Sequence, residues 1–473
     1  MKPISIQTVL DASGARLVQG DMTESVQGIS TDTRSLGSGE MFLALSGPNF
    51  DGNRFAPEAV RGGAGSLMLR ATAELRTAPA LQRLRAMLPP DMPLLLHESP
   101  RRALSDLAGW HRSQLGAHVL GVTGSCGKTS TKNILSTLLS PLLKTVASPN
   151  SFNNDIGVPH TLFLADDSTE ALVVEMGTNQ PGEIGALCRT AKPSAGIITN
   201  VGASHLEGLR TIEGVAREKG DLAASLPRDG FCVLNADCRW TPTIRAMTSA
   251  KVLTFGVGGQ GDFAATDIWF HAGGTTFKLG KHEITSPLLG LHNVQNLLAA
   301  IAMCHGLGFE LDEILPAIST LEADRRRMER IELGGVTLYD DSYNANPESA
   351  RASVRVLCGL HGHNRRILVL GDMLELGDLA AELHHRVGLE AALAGVDVLI
   401  LVGELTRATA AGALEGGLAP ESVLHCASLA ESKKVLGDVM RDGDVVLVKG
   451  SRATGLDRLV THLLEERVES PVR

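Results

Sequence analysis

The chain has 473 residues, of which 43% are hydrophobic, 21% charged and 3% aromatic, and it carries a formal net charge of −9. That length predicts two to three domains of about 100 to 200 residues each, and the composition is that of a soluble globular protein with many short aliphatic runs. An acidic chain lacks the basic face that neutralises phosphates, which argues against a nucleic-acid binder and for small-molecule partners.

The seven cysteines lack CxxC spacing and read as reduced thiols, most of them small core residues. No apolar leader opens the N-terminus, and no segment approaches the roughly 18 apolar residues of a membrane span. The protein is therefore expected in the cytoplasm.

Residues 1 to about 98 predict a small α/β domain, with strand-like runs at Met41–Leu45 and Ser66–Leu69 and a helix from Ala56 to Arg61. A proline-marked segment, Leu88 to Leu94, closes it. An amphipathic stretch from Arg101 to Leu115 then leads to a strand at Val119–Val122.

Residues 121 to 130 read Gly-Val-Thr-Gly-Ser-Cys-Gly-Lys-Thr-Ser. Glycines let successive backbone N–H groups turn inward onto an anion, and a helix opening near Thr129 adds positive potential. Lys128 can reach outer phosphates and the Thr129 hydroxyl can hold Mg²⁺. Gly124, Ser125, Cys126, Gly127 and Ser130 complete the loop, which predicts binding and hydrolysis of ATP or GTP. Five residues separate Gly121 from Gly127, where the common loop has four. A glycine-rich turn that merely packs a helix on a strand is the alternative. Cys126 reads as a small filler; beside bound phosphates it could instead be a thiol of lowered pKa.

The apolar runs Ala171–Val174, Gly196–Ile198, Cys232–Leu234 and Val252–Phe255 predict strands buried on both faces of a mostly parallel sheet. From Asp262 to Thr285 polar and apolar residues alternate, with Gly273-Gly274 at a turn, which predicts an antiparallel flap. A helix from Asn293 to Gly306 follows, with Asn293 as its cap. From near Arg325 the α/β rhythm resumes, with strands at Arg366–Leu370, Val396–Val402 and Asp444–Val448 and helices at Ala380–Ala394 and Leu429–Met440. This predicts a Rossmann-like open sheet whose strand ends carry the ligand loops. The expected domains are 1–98, 99–323 and 324–473, with hinges near 98–102 and 320–326.

Glu175 follows a predicted strand, where a phosphate-loop enzyme places an acidic metal ligand facing Thr129. His205 lies in a loop at the same expected sheet edge and reads as a second candidate ligand. Lys219, on its own pattern, is an ordinary surface lysine of a helix. Asn293 and Asn296 carry carboxamides suited to an adenine edge. Arg325-Arg326-Arg327 is a solvated helix end or part of an anion site. Arg327 could meet the γ-phosphate and Asp341 the ribose hydroxyls, while Lys449, Ser451 and Arg452 end the last strand with groups for a substrate carboxylate.

Several segments, in order, resemble the Mur ligase family of ATP-dependent amide-forming enzymes in peptidoglycan synthesis. They are the phosphate loop, Asn153-Asn154-Asp-Ile-Gly-Val-Pro, Glu175-Met-Gly, Thr199-Asn-Val-Gly with His205, Lys219-Gly-Asp, His292-Asn293 with Asn296, Arg327-Met-Glu and Lys449-Gly-Ser-Arg452. Ser30-Thr-Asp-Thr-Arg34, Asp340-Asp-Ser-Tyr-Asn-Ala-Asn-Pro347 and Leu370-Gly-Asp-Met-Leu-Glu-Leu-Gly377 look like the last cytoplasmic ligase of that route. The Asp-Asn-Pro-Arg motif of the third-residue ligase is missing.

The resemblance implies ATP and Mg²⁺ as cofactors, with UDP-N-acetylmuramoyl-tripeptide and D-alanyl-D-alanine as substrates and a monomeric enzyme. It implies Lys128, His205, Lys219 and Arg327 as catalytic groups. Thr129 and Glu175 would bind a first Mg²⁺, and His205 and a carbamate on Lys219 would bind or support a second. Asn293, Asn296 and Asp341 would hold adenosine. Ser30, Thr31, Asp32 and Arg34 would hold the uridine nucleotide, and Asn153, Asn154, Asn344, Asn346, Lys449, Ser451 and Arg452 the substrate. The third-residue muramyl ligase and folylpolyglutamate synthase are the nearest rivals, and a nucleotide-gated binding module is the rival from another class.

Overall fold

The computed structural model describes residues 1–47, 49–271 and 273–468. It is an α/β structure with parallel-rich sheets, and its contacts form two units. The first comprises residues 1–121, 142–177 and 183–195; the second comprises 122–141, 178–182 and everything from Gly196 onward.

In the first unit a five-stranded sheet runs Arg16–Gln19, Leu94–His97, Ser66–Arg70, Met41–Leu43, Ile29–Ser30. Only the first pair is antiparallel. Helix Ala56–Arg61 buries Ala56 and Ala59 against Phe42, Leu67, Leu69, Leu94 and Leu96. Helix Pro100–Ser113 starts one residue before the expected Arg101 because Ser99 accepts from the Arg102 N–H and Pro100 loses no bond at the first turn. It buries Ala103, Leu104, Leu107, Ala108 and His111, a stripe at three- and four-residue spacing. Strands Thr145–Ala147 and Ala171–Glu175 pair in parallel.

In the second unit strands Phe231–Asn235, Lys251–Gly256 and the start of Phe263–His271 are parallel neighbours. The chain then turns antiparallel through Gly274–Leu279 and His282–Ser286, which is the expected flap. Helix Leu291–Gly306 opens on Gly290, two residues earlier than predicted, so Asn293 is not its cap. Its amide donates instead to the Leu289 carbonyl at 2.9 Å.

A six-stranded sheet in the same unit runs Glu329–Leu333, Val336–Asp341, Val445–Lys449, Arg366–Gly371, Val398–Val402, Val423–Cys426, parallel after its first pair. Strand Val445–Lys449 ends one residue later than predicted and so carries Lys449 itself. Helices Ala380–Ala394 and Thr406–Glu415 pack backbone to backbone: a Cβ on Gly412 would lie 1.9 Å from the His385 carbonyl oxygen. All seven cysteines are free, four of them buried. Among the described residues no helix is long and apolar enough to cross a membrane.

Candidate nucleotide and ligation site

Strand His118–Thr123 delivers the phosphate loop, and helix Lys128–Leu139 leaves it one residue earlier than predicted. Gly127 stands at the helix N-cap with φ +80° and makes no side-chain cap bond, and a helix N-terminus of this kind suits an anion. A Cβ at Gly127 would meet Asn296 Oδ1 at 2.4 Å, and Gly124 is likewise confined, by the Thr199 hydroxyl. Lys128 Nζ folds back onto the Gly124 carbonyl at 2.8 Å.

The loop is laced to residues 199–204. Ser125 Oγ donates to the Gly202 carbonyl at 3.1 Å and accepts the Gly202 N–H at 3.0 Å, and the Cys126 N–H donates to Asn200 Oδ1 at 2.8 Å. Asn296 Oδ1 takes the Thr131 hydroxyl at 3.2 Å while its amide donates to Asn293 Oδ1. Asn296 thus ties the helix that leaves the loop to Asn293. Asn293, with Ser130, Asn133, Leu288, Leu321 and Arg327, lines a small open cleft.

Groups from the last third of the chain meet the loop within the same unit. Arg327 lies in a turn, not at a helix end, and its guanidinium donates to the Thr129 hydroxyl at 3.0 Å while resting 4.2 Å over the Tyr343 ring. Ser130 Oγ donates to Asp324 at 2.9 Å, with Asn133 on the same carboxylate, so the segment expected to be a hinge is pinned at Asp324. Asn346 caps helix Pro347–Gly359 through the Ser349 N–H, and its Oδ1 also accepts from the Cys126 thiol at 3.1 Å. Burial pushes that thiol's pKa up, with the Glu348 charge adding to it, which supports the filler reading of Cys126.

Lys219 corrects the sequence expectation. It sits on helix Ile212–Ala224 at 1% exposure, and burial, helped by the charge of Lys128, holds its pKa well below the usual lysine range. The helix is buried nearly all round at Val215, Ala216, Glu218, Gly220, Leu222 and Ala223. Next to it Glu218 accepts from the Thr178 hydroxyl at 3.1 Å and the Gly182 N–H at 2.6 Å. His205 has φ +54° ahead of a short helix, Leu206–Leu209.

Asp341 and Lys449, expected on separate ligands, pair with each other at 2.6 Å. Asp341 also takes the Ser353 hydroxyl, and Lys449 the carbonyl of the exposed Asn344. Ser451 Oγ accepts the Leu374 N–H at 2.9 Å. Arg452 stands 5.9 Å from the Tyr343 ring centre, so two guanidinium groups flank one tyrosine. Sequence reasoning quoted Tyr343 and Thr199 inside motifs without a role and passed over Asp324.

In the first unit Glu175 is the last residue of its strand, not the residue after it, and is buried. Its Oε1 accepts from Asn153 Nδ2 at 2.8 Å; its Oε2 is buried with no hydrogen-bond partner. An orphaned carboxylate oxygen fits a hard cation. Asn154 Oδ1 accepts the Gly157 N–H at 2.9 Å, a local cap. Ser30 Oγ donates to the Asp32 carbonyl, the Thr31 hydroxyl lies 3.0 Å from His160 Nε2, and the Arg34 guanidinium holds Asp32 down to about 2.

Residues 122–304 match the Mur ligase middle domain and residues 326–452 the Mur ligase glutamate ligase domain. UDP-N-acetylmuramoyl-tripeptide--D-alanyl-D-alanine ligase of Escherichia coli (strain K12) is 34% identical, covering 98% of this chain and 99% of that protein. A MurF crystal structure from Acinetobacter baumannii superposes with a TM-score of 0.87 at 28% identity, over 98% of this chain and 99% of that one. MurF from Thermotoga maritima in complex with ADP gives 0.80 at 26% identity, over 93% and 98%. The chain belongs to the Mur ligase family.

Proposed function

We propose that this chain is the ATP-dependent ligase that joins D-alanyl-D-alanine to UDP-N-acetylmuramoyl-tripeptide, completing the cytoplasmic peptidoglycan precursor. The convergence of Lys128, Thr129 and Arg327 on one phosphate loop carries the reading, and relatives of that activity spanning nearly the whole chain support it. The protein would act as a monomer built of domains 1–98, 99–323 and 324–473.

The chemistry joins two anions before it joins a carbonyl and an amine. The tripeptide carboxylate attacks the γ-phosphorus of ATP, ADP leaves, and an acyl phosphate forms. The dipeptide amine attacks that carbonyl through a tetrahedral intermediate, which expels phosphate as the amine loses its proton. Lys128 and Arg327 would screen the approach of carboxylate to phosphate and stabilise the charge that develops. The first-turn amides after Gly127 would hold the outer phosphates. The cleft beside Asn293 would take the adenine, and Ser30, Thr31, Asp32 and Arg34 the uridine nucleotide. Asn153, Asn154, Asn344, Asn346, Ser451 and Arg452 would orient the peptide ends.

The Thr129 hydroxyl and the Glu175 carboxylate each offer an oxygen of the kind Mg²⁺ takes, and His205 a nitrogen for a second ion; bound Mg²⁺ would neutralise phosphate charge. Burial favours the neutral form of the Lys219 amine, the form that adds CO₂, and the resulting carbamate with His205 would bind or support a second Mg²⁺. Loss of the CO₂ increment from the intact mass on Lys219→Ala, together with loss of turnover, is the expected result; no increment in the parent protein would remove the carbamate.

The deciding experiment is phosphate release from ATP with UDP-N-acetylmuramoyl-tripeptide, comparing D-alanyl-D-alanine with D-alanine, diaminopimelate and glutamate. Release with a new amide only for the dipeptide is expected. Turnover with a single amino acid would assign another ligase, and none with any acceptor a nucleotide-gated binding module.

A further inference from the structure

The turn at residues 371–377, which carries Gly-Asp-Met-Leu-Glu-Leu-Gly, meets the turn that carries His205. His205 Nδ1 lies 2.6 Å from Glu375 Oε2. A second bond fixes the same contact through the main chain, where the Leu206 N–H donates to the Glu375 carbonyl at 2.9 Å. Both residues hold a left-handed backbone, φ +54° for His205 and +63° for Glu375. Such a conformation strains any residue with a Cβ and persists only where surroundings impose it.

The surroundings here do so. The Met373 N–H donates to His384 Nε2 at 2.9 Å, the Leu374 N–H to Ser451 Oγ at 2.9 Å, and Asp372 Oδ1 accepts the Thr406 N–H at 3.0 Å. Ala203, Leu206, Leu209 and Val215 form an apolar patch beneath, against which Leu383 packs. The backbone on the N-terminal side of Glu375 is thus held by bonds from residues 372 to 374.

We infer that Glu375 is a positioning residue for the ligation site, fixing the ring orientation and tautomer of His205 from the last third of the chain. A carboxylate only accepts, so the proton in this bond sits on His205 Nδ1, and in the neutral ring the Nε2 lone pair is the one turned to the site. The inference rests on the proposed function for its consequence and on the hydrogen bond alone for its geometry.

The test uses the full chain labelled with ¹⁵N-histidine, without metal or nucleotide, with the His205 signal assigned by its disappearance in His205→Gln. The parent protein is expected to show His205 in the Nδ1–H form. Glu375→Ala is expected to shift the ring toward the Nε2–H form and to lower kcat by about 10- to 100-fold with little change in KM for ATP. Glu375→Gln keeps an oxygen acceptor and should retain the Nδ1–H form and most of kcat. Thermal unfolding of each variant separates a folding defect from a site defect. His205 resonances and kcat unmoved by Glu375→Ala would overturn the inference, as would a Gln variant as impaired as the Ala variant. A tautomer shift in a chain that turns over no acceptor would leave this contact standing and remove the proposed function instead.

Discussion

Arg327 donates to the hydroxyl of Thr129 although 198 residues of chain separate them. The guanidinium thus rests at the mouth of the phosphate loop, steadied by the Tyr343 ring below it. A fork of fixed donors there is matched to phosphate oxygens in a way that an ammonium is not. Arg327→Ala is expected to lower kcat by about 10²- to 10³-fold, and Arg327→Lys to recover little of it. Steady-state phosphate release measures both; a kcat within twofold of the parent for the alanine variant would remove Arg327 from the reaction.

Lys449 and Asp341 form a different kind of contact, since their side chains are only 3% and 11% exposed. Removing one partner strands the other as a buried charge, which costs about 3–5 kcal/mol. Lys449→Met is expected to destabilise the protein by that amount in urea unfolding. Lys449→Met combined with Asp341→Leu should recover most of the loss, because no uncompensated charge remains.

His292 supplies the pH dependence. Burial pushes it down to about 4 from an ordinary value of 6.5, and its Nδ1 has no hydrogen-bond partner. The folded-state pKa is the lower one, so between pH 6.5 and 4 the unfolded chain binds a proton that the folded chain refuses. Stability is complete above 6.5 and falls as the pH drops through that window, by at most about 1.4 kcal/mol per pH unit. His292→Leu should flatten this part of the stability curve; an unchanged slope would place the acid sensitivity elsewhere.

Gly127→Ala places a Cβ 2.4 Å from Asn296 Oδ1 at a residue with φ +80°. ADP binding by titration calorimetry is expected to weaken by about 5- to 150-fold, the equivalent of about 1–3 kcal/mol for a strained backbone. Asn296→Ala in the same chain removes the clash but not the backbone conformation. It should restore only part of the affinity.

Much of the framework was legible because the signals were local. Helix Ala380–Ala394 lies where its pattern placed it, and Gly196–Ile198 was one residue short of the strand found. Hairpin Glu329–Asp341 was missed because Glu329, Arg330 and Glu332 make its edge strand look like solvated loop. Lys219 was misplaced because amphipathic patterns assign every charge to the outside, and only the packed helix reveals otherwise. The pairing of Asp341 with Lys449 depends on strand Val336–Asp341 lying beside Val445–Lys449, and no local rule orders strands so distant in sequence. The phosphate loop was plain because its chemistry needs contiguous residues.

The segment from Ser319 to Met328 works as a ruler. One end leaves helix Leu311–Ile318, and the other enters a hairpin whose register is set residue by residue. Between them Ser130 and Asn133 hold Asp324, the Arg327 N–H returns to the Asp324 carbonyl, and the Arg326 N–H reaches Glu329. Adding or deleting one residue there would move Arg327 off Thr129 however conservative the residue, whereas the turn at Gly280-Lys281 joins two antiparallel strands by a loop free to lengthen. Change by insertion is therefore closed to the first segment and open to the second, and sequence length, not only sequence identity, is under constraint in this chain.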